Sequence, residues 1–325
     1  MRKLFQQFNT LNILIVGDVM MDSYLWGNVE RISPEAPVPI VSVKKKENRL
    51  GGAANVALNV QSLGATPIIC AIIGNDKEGD DFLELLKQQG LTDKGIIRLK
   101  DRPTTVKTRI MGQKQQILRI DAEMDEPVDE HTSGLIAKKI RSIFEEDHIN
   151  ALIFEDYDKG VITPRLITEI VAFTNEKNTI TVVDPKKRNF LDYKNVTLFK
   201  PNLKELREGL KIDFDARNLP ELEQAAASLK GKINSQKVMI TLSEMGVYID
   251  GNEGKTLIPA HIRNIADVSG AGDTVIATAT ACLAVGMDEF KAAAVANLAG
   301  GLVCEYLGVV PINKERLLAE AENLK

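Results

Sequence analysis

Leu11-Asn12-Ile13-Leu14-Ile15-Val16-Gly17 is a short apolar run, rich in β-branched side chains and closed by a glycine. A run of this kind, apolar on both faces, reads as a strand buried within a covered sheet. The chain after it alternates. Ala53–Leu63 sets Val56, Ala57, Val60 and Leu63 at helical spacing, with Gly64 as its stop. Pro67–Ile73 reads as a strand, Lys77–Gln89 as an amphipathic helix stopped at Gly90, and Gly95–Leu99 as a further strand. Ala151–Phe154, Thr179–Val183, Val196–Phe199 and Val238–Leu242 are buried-strand runs separated by helical segments. From Gly272 to Lys325 the pattern is almost all helical and rich in alanine. Strands alternating with helices predict an α/β architecture in three layers, with a mostly parallel central sheet covered on both faces.

Two stretches break the alternation. Ser23–Lys46 carries the proline-rich loop Ser33-Pro34-Glu35-Ala36-Pro37-Val38-Pro39 and then a strand pattern. Thr104–Asp121 alternates as two β segments around Gly112-Gln113. With no helix to cover them, these segments (about 23–46 and 104–121) predict a small β-sheet lid inserted into one domain spanning residues 1–325. An exposed sheet face of this sort closes over a ligand or pairs with a second subunit.

The 325 residues are 44% hydrophobic and 26% charged, which supplies a sizeable core and excludes a disordered chain. Lys and Arg number 41 against 45 Asp and Glu, a formal charge of −4. That balance argues against a nucleic-acid or polybasic membrane partner and leaves room for a local basic pocket. Cys70, Cys282 and Cys304 lie far apart in apolar surroundings, as buried reduced thiols do. His131, His148 and His261 are isolated, so no zinc site is expected. The polar start, Met1 to Asn9, does not resemble a signal peptide, and no apolar run is long enough to span a membrane. A cytoplasmic protein is expected.

The strongest chemical signal is Asp267-Val268-Ser269-Gly270-Ala271-Gly272-Asp273-Thr274, which leads directly into a helix pattern. Small residues let backbone N–H groups approach an anion, and the helix N-terminus adds its positive dipole end. There Asp273 suits the base of a phosphoryl transfer. A Gly-rich turn with Asp273 as a simple helix cap fits the same residues. Gly51-Gly52-Ala53-Ala54-Asn55 opens the first long helix. It reads either as a turn or as a wall of N–H groups and an amide facing a hydroxylated ligand. No Walker A loop is present, and Leu11–Gly17 does not lead into Gly-x-Gly-x-x-Gly.

Gly-Gly-x-x-Asn near the start, Asn202-Leu203-Lys204-Glu205 in the middle and Asp-x-x-Gly-Ala-Gly-Asp near the end, in this order, resemble the ribokinase/PfkB sugar-kinase family. The resemblance extends over essentially the whole chain and implies a ribokinase-like fold. Gly17–Tyr24, Arg31–Pro39, Gly51–Gly64, Asp156–Gly160, Asp184-Pro185-Lys186 and Thr241–Gly246 are similar to one branch in particular. Its members phosphorylate the anomeric hydroxyl of D-glycero-β-D-manno-heptose 7-phosphate on the way to ADP-heptose and the lipopolysaccharide core. Members fused to a C-terminal nucleotidyltransferase are common there, and this chain resembles the stand-alone kinase form.

The resemblance implies the following roles. Asp273 deprotonates the sugar hydroxyl, while the N–H groups of Gly270, Ala271 and Gly272 hold the charge on the transferred group. Asn202 and Glu205 organise Mg²⁺ through water; as residues they also read as a helix capping box. ATP lies against Asn202, Glu205, Thr241, Ser243, Glu244, Gly246, Gly270 and Gly272. Asp22, Gly51, Gly52 and Asn55 take the sugar hydroxyls, with Asp18 and Asp184 nearby. Lys107, Arg109, Lys159 and Lys186 are the cations for the sugar's phosphate; alternation puts Lys107 and Arg109 on one face of their strand. ATP and Mg²⁺ are the expected cofactors, and a monovalent cation is compatible. The expected partners are a second copy through the lid and a separate nucleotidyltransferase. Other readings are a related kinase for another sugar, sugar acid or nucleoside, and a silent nucleotide-binding partner. A nicotinamide dehydrogenase, which lacks its fingerprint here, comes last.

Overall fold

The run at Leu11–Gly17 becomes β1 (Asn12–Gly17), and its alternate residues feed two separate cores. Ile13 and Ile15 pack into one, Leu14 and Val16 into the other, as a strand covered on both faces requires. The computed structural model describes residues 1–112, 115–261 and 263–324. Its nine-stranded sheet runs β13 (Lys255–Ile258), β12 (Val247–Asp250), β11 (Lys237–Thr241), β10 (Leu198–Phe199), β9 (Ile180–Asp184), β8 (Ala151–Glu155), β1, β4 (Thr66–Gly74), β5 (Ile96–Leu99). From β11 to β5 every neighbour is parallel; β12 and β13 add an antiparallel edge.

One core packs under α1 (Arg2–Gln7), α2 (Ala53–Ser62), α3 (Lys77–Gln88), α8 (Ala271–Ala284), α9 (Glu289–Val303) and α10 (Lys314–Ala321). The opposite core packs under α4 (Glu130–Glu146), α5 (Pro164–Glu176), α6 (Leu203–Leu210) and α7 (Leu219–Ile233). The predicted three layers are therefore present. All three cysteines are buried and free. No helix among the described residues is long and apolar enough to cross a membrane.

The two unhelical stretches form a second sheet of four strands. Its order is β3 (Pro39–Gly52), β2 (Val19–Ile32), β6 (Val106–Gly112), β7 (Gln115–Ala122). The first insertion is longer than its predicted bounds of 23–46, because β2 starts at Val19 inside the core and β3 returns as far as Gly52. Val19, Met20 and Met21 are buried, so their apolar character belongs to the junction between the sheets. The Ser33–Pro39 loop is the far tip of this hairpin. Of the predicted Gly112-Gln113 turn, Gln113 lies outside the described residues. The antiparallel edge β12–β13 was not anticipated, since its short strands carry no longer apolar run of their own. Val196–Phe199 contracts to the two residues of β10.

Candidate active site

α8 begins over the ends of β9 and β10. A Cβ placed on Gly272 would sit 3.8 Å from Asp184 Oδ2 and 3.8 Å from Lys200 Nζ, an ordinary contact that puts the start of the helix directly above that pair. Gly270, at φ +77°, is the N-cap, and a Cβ there would press on the Asn55 side chain at 3.1 Å. The left-handed turn and the crowding both call for glycine. Helix geometry leaves the first-turn N–H groups without helical acceptors. One predicted anion donor is engaged otherwise: Ala271 N–H closes a turn on the Val268 carbonyl at 3.3 Å.

Asp273 sits in this first turn and is only 8% exposed. Asn55 Nδ2 donates to its Oδ2 at 2.5 Å, and the Tyr157 hydroxyl donates to its Oδ1 at 3.1 Å. Burial pushes the Asp273 carboxyl up to about 6; the Asn55 hydrogen bond, the Tyr157 hydrogen bond and Lys200 oppose that rise, while Asp184 adds to it. One helix turn beyond Asn55, Asn59 Oδ1 accepts from Thr274 Oγ1 at 3.0 Å, which locks α2 against the start of α8. The predicted base and the predicted sugar-wall amide are thus in direct contact.

Beneath α8 the charges are closely balanced. Lys200, 2% exposed, pairs with Asp184 at 2.7 Å. Burial works against the Lys200 charge, but Asp184 and Glu205 outweigh it and raise the ammonium above its ordinary value. Glu155, 1% exposed, has no partner for its Oε2 among the described residues. Burial, then Asp184 and Asp273, push its carboxyl well above the usual range. Lys186 pairs with Glu205 Oε1 at 2.5 Å. Glu205 Oε2 accepts from Asn202 N–H at 2.9 Å, and Asn202 Oδ1 accepts from Glu205 N–H at 2.8 Å. The capping box is real. Among the described residues no group of three or more His, Cys, Asp or Glu side chains could cage a metal. Both Glu205 oxygens and Asn202 Oδ1 are engaged within the protein, so a magnesium ion beside them would be held through its own water shell.

Thr241 pairs with Asn202 across a parallel bridge, and its N–H donates to Pro201 at 3.1 Å. The turn carrying Ser243 (φ +53°), Glu244 and Gly246 (φ +95°) follows directly. A Cβ on Gly246 would lie 2.1 Å from the Ile258 carbonyl, so this glycine is fixed by the close approach of β13. Of the residues predicted for the nucleotide, Asn202, Glu205 and the Thr241–Gly246 turn therefore adjoin one another at the ends of β10 and β11, while Gly270 and Gly272 belong to the start of α8.

The residues expected to face the sugar come from the junction of the sheets. Ala53 N–H donates to the Asp18 carbonyl at 3.0 Å, and a Cβ on Gly51 would reach Asp22 Oδ2 at 2.5 Å. Gly52, at φ +61°, completes the turn into α2. Asp22 is ion-paired with Arg109. Asp18 is engaged with the backbone. Its carboxylate accepts the N–H groups of Tyr157 (2.9 Å), Lys159 (3.1 Å) and Val161 (3.2 Å), and it is 1% exposed, so it ties down a loop. Asp184 likewise spends an oxygen on Lys200.

The predicted cations all have anionic partners. Lys107 lies 3.0 Å and Lys159 2.7 Å from Glu123, and Lys107 also approaches Asp121 at 3.4 Å. Arg109 lies over the Tyr24 ring at 5.3 Å, and Arg49 lies over the same ring at 5.0 Å. Arg49, Tyr157, Glu155 and Lys200 had no role in the sequence reading. Lys200 carried a signal, a lysine closing the buried run Val196–Phe199 ahead of a proline, and Tyr157 stood within a quoted motif.

The pattern of the pfkB family carbohydrate kinases matches residues 10–316. The chain is 39% identical over 312 residues to the bifunctional protein HldE of Magnetococcus marinus, covering 95% of this chain and 64% of that protein. It is 38% identical to the bifunctional proteins HldE of Helicobacter hepaticus, covering 91% of this chain and 61% of that protein, and of Campylobacter fetus, covering 97% and 66%. The chain thus spans just under two thirds of these relatives' lengths. Among solved structures, phosphofructokinase-2 from Escherichia coli in complex with potassium superposes with a TM-score of 0.77 at 15% identity, covering 96% of this chain and 99% of that one. Arabidopsis thaliana ribokinase complexed with ribose and ATP gives 0.74 at 15% identity, covering 97% and 99%. These two share the ribokinase-like α/β fold. With a Gly-Ala-Gly-Asp helix start on that fold and a family pattern running nearly from end to end, this chain belongs to the pfkB family of carbohydrate kinases.

Proposed function

We propose that this sugar kinase transfers the γ-phosphoryl group of ATP to the anomeric hydroxyl of D-glycero-β-D-manno-heptose 7-phosphate, yielding the 1,7-bisphosphate and ADP. The observation that carries the reading is Asp273, a buried carboxylate in the first turn of α8, whose carboxyl is pushed up to about 6. The sugar oxygen attacks the γ-phosphorus in line, its proton passes to Asp273, the bridging bond to the β-phosphate breaks, and ADP leaves. The free first-turn N–H groups of α8 face the charge of the transferred group, which is the preorganised electrostatic help that phosphoryl transfer needs. Asn202 and Glu205 would hold magnesium through its water shell, where the ion neutralises charge on the ATP phosphates. Asp22, Gly51, Gly52 and Asn55 take sugar hydroxyls.

Two observations favour a phosphorylated heptose. Several stretches of the chain resemble the heptose-phosphate branch, and Lys107, Arg109, Lys159 and Arg49 concentrate on or beside the small sheet. An incoming phosphate would compete with Glu123 and Asp22 for these cations. In this reading the enzyme works as a homodimer through the small sheet, and a nucleotidyltransferase consumes its product.

The test is ADP release with Mg-ATP and a panel of β- and α-heptose 7-phosphate, fructose 6-phosphate, ribose, adenosine and 2-keto-3-deoxygluconate. Selective turnover of the β-heptose phosphate is expected. Turnover of another member retires the heptose assignment, and ATP binding without any turnover favours a silent partner protein. Asp273→Asn should keep nucleotide binding and abolish turnover. It should also raise thermal stability at neutral pH, since holding a buried carboxylate ionised this far above its ordinary value costs up to about 3 kcal/mol. The tyrosine hydroxyl can turn to accept from the new amide. Unchanged turnover in Asp273→Asn would remove it as the base.

A further inference from the structure

The segment Asp156-Tyr157-Asp158-Lys159-Gly160 is held more firmly than a surface loop needs to be. Asp18 accepts two of its N–H groups, those of Tyr157 and Lys159, and that of the following Val161 from one side. From the other, Asp156 accepts from the Tyr193 hydroxyl at 2.7 Å, from Asn189 Nδ2 at 3.2 Å and from Asp158 N–H at 2.9 Å. Asp158 (φ +55°) and Gly160 (φ +84°) bend the backbone sharply, and a Cβ on Gly160 would strike the Glu126 carbonyl at 2.1 Å. The side chain placed by all this is Tyr157. Its hydroxyl reaches Asp273 Oδ1 at 3.1 Å, and Lys186 Nζ lies 5.3 Å from its ring centre.

We propose that Tyr157 is a positioning residue for the base: it and Asn55 each engage one oxygen of Asp273, fixing the plane of the carboxylate with a lone pair left for the sugar hydroxyl. A carboxylate with one donor would rotate about its Cβ–Cγ bond; two donors on different elements, α2 and the β8–α5 loop, stop that rotation. The two donors also stabilise the ionised form, which burial disfavours. Lys186, in contact with both the Tyr157 ring and Glu205, links this support to the side of the site assigned to the nucleotide. The charged groups facing the pair are Glu155 from β8, Asp184 from β9, Lys200 after β10 and Lys186 after β9.

The inference rests on the kinase reading above, so its test includes a measurement that needs no substrate. In the full chain labelled with ¹³C at aspartate carboxyls, the Asp273 signal is identified by its loss in Asp273→Asn and titrated in the wild type and in Tyr157→Phe. The phenylalanine keeps the ring on Lys186 and removes the hydroxyl alone. The Asp273 midpoint should rise by about one pH unit on losing one hydrogen bond. With Mg-ATP and the β-heptose 7-phosphate, the acidic limb of kcat/KM should rise with it, while KM for the sugar stays near the wild-type value. A midpoint that does not move in folded Tyr157→Phe overturns the proposal, whatever the substrate proves to be. So does a rise in sugar KM at unchanged kcat and unchanged pH limb, which would place the hydroxyl on the sugar. If wild type fails to turn over the heptose phosphate, the substrate reading falls and the titration still decides the role of Tyr157.

Discussion

Glu155 shows how a single buried residue sets a pH dependence. Its carboxyl is raised by burial first and by Asp184 and Asp273 next, against the opposing pull of Lys200 and Lys186. The folded state therefore keeps a proton that the unfolded chain releases once pH passes the ordinary carboxylate range. Where the folded state binds the extra proton, stability falls as pH rises. Glu155→Gln keeps the shape and never ionises. Its thermal midpoint should exceed that of the wild type by several degrees at about pH 8, and the difference should shrink towards about pH 5. Thermal scans across that range check this. A difference that stays flat would mean that Glu155 is ionised throughout, with a partner supplied from elsewhere.

At the scale of the element, the start of α6 has two tasks that two substitutions separate. Asn202 caps the helix through the Glu205 N–H, and Glu205 returns the bond. Asn202→Ala should cost about 1 kcal/mol of stability with or without nucleotide. Asn202→Asp keeps a good cap and adds a negative charge. If this residue also faces the phosphates of ATP, the aspartate variant should keep its thermal midpoint while KM for Mg-ATP rises. An unchanged KM in Asn202→Asp would leave Asn202 with the cap alone. The start of α8 differs in kind: its cap is Gly270, with no side chain to satisfy the first-turn N–H groups. A helix start left open in this way above Lys200 is suited to receive an anion.

Over the whole molecule, the small sheet stands out as one with no helix among the described residues covering its outer strand. β7 is exposed along its full length, with Leu118 53% and Ile120 50% accessible, and it forms the edge of its sheet. Ile32 and Val43 on the β2–β3 hairpin are exposed as well. An exposed apolar edge strand invites another strand. A homodimer through this sheet should appear in light scattering at micromolar concentration, and Leu118→Glu should shift it to monomer while leaving the thermal midpoint of the monomer intact. A wild-type chain that is monomeric under those conditions sinks the dimer.

The strands around Leu11–Gly17, the helices that follow them and the Gly-Ala-Gly-Asp turn were legible because each depends on residues adjacent in the chain. An apolar run, a 3.6-residue spacing or a glycine before a helix carries its signal locally. The capping box of Asn202 and Glu205 was legible for the same reason. Tertiary structure decided which of these motifs meet. Asn55 and Asp273 stand 218 residues apart and share a hydrogen bond, and Tyr157 reaches Asp273 from 116 residues away. Neither spacing carries a period that marks the contact. Nor does the sequence distinguish Asp18, spent on three backbone N–H groups, from Asp22, paired with Arg109 beside the glycine turn. Lys200 is the clearest case, because burying an ammonium is tolerable only beside a carboxylate. That carboxylate, Asp184, comes from the neighbouring strand, and only the packed sheet brings the two together.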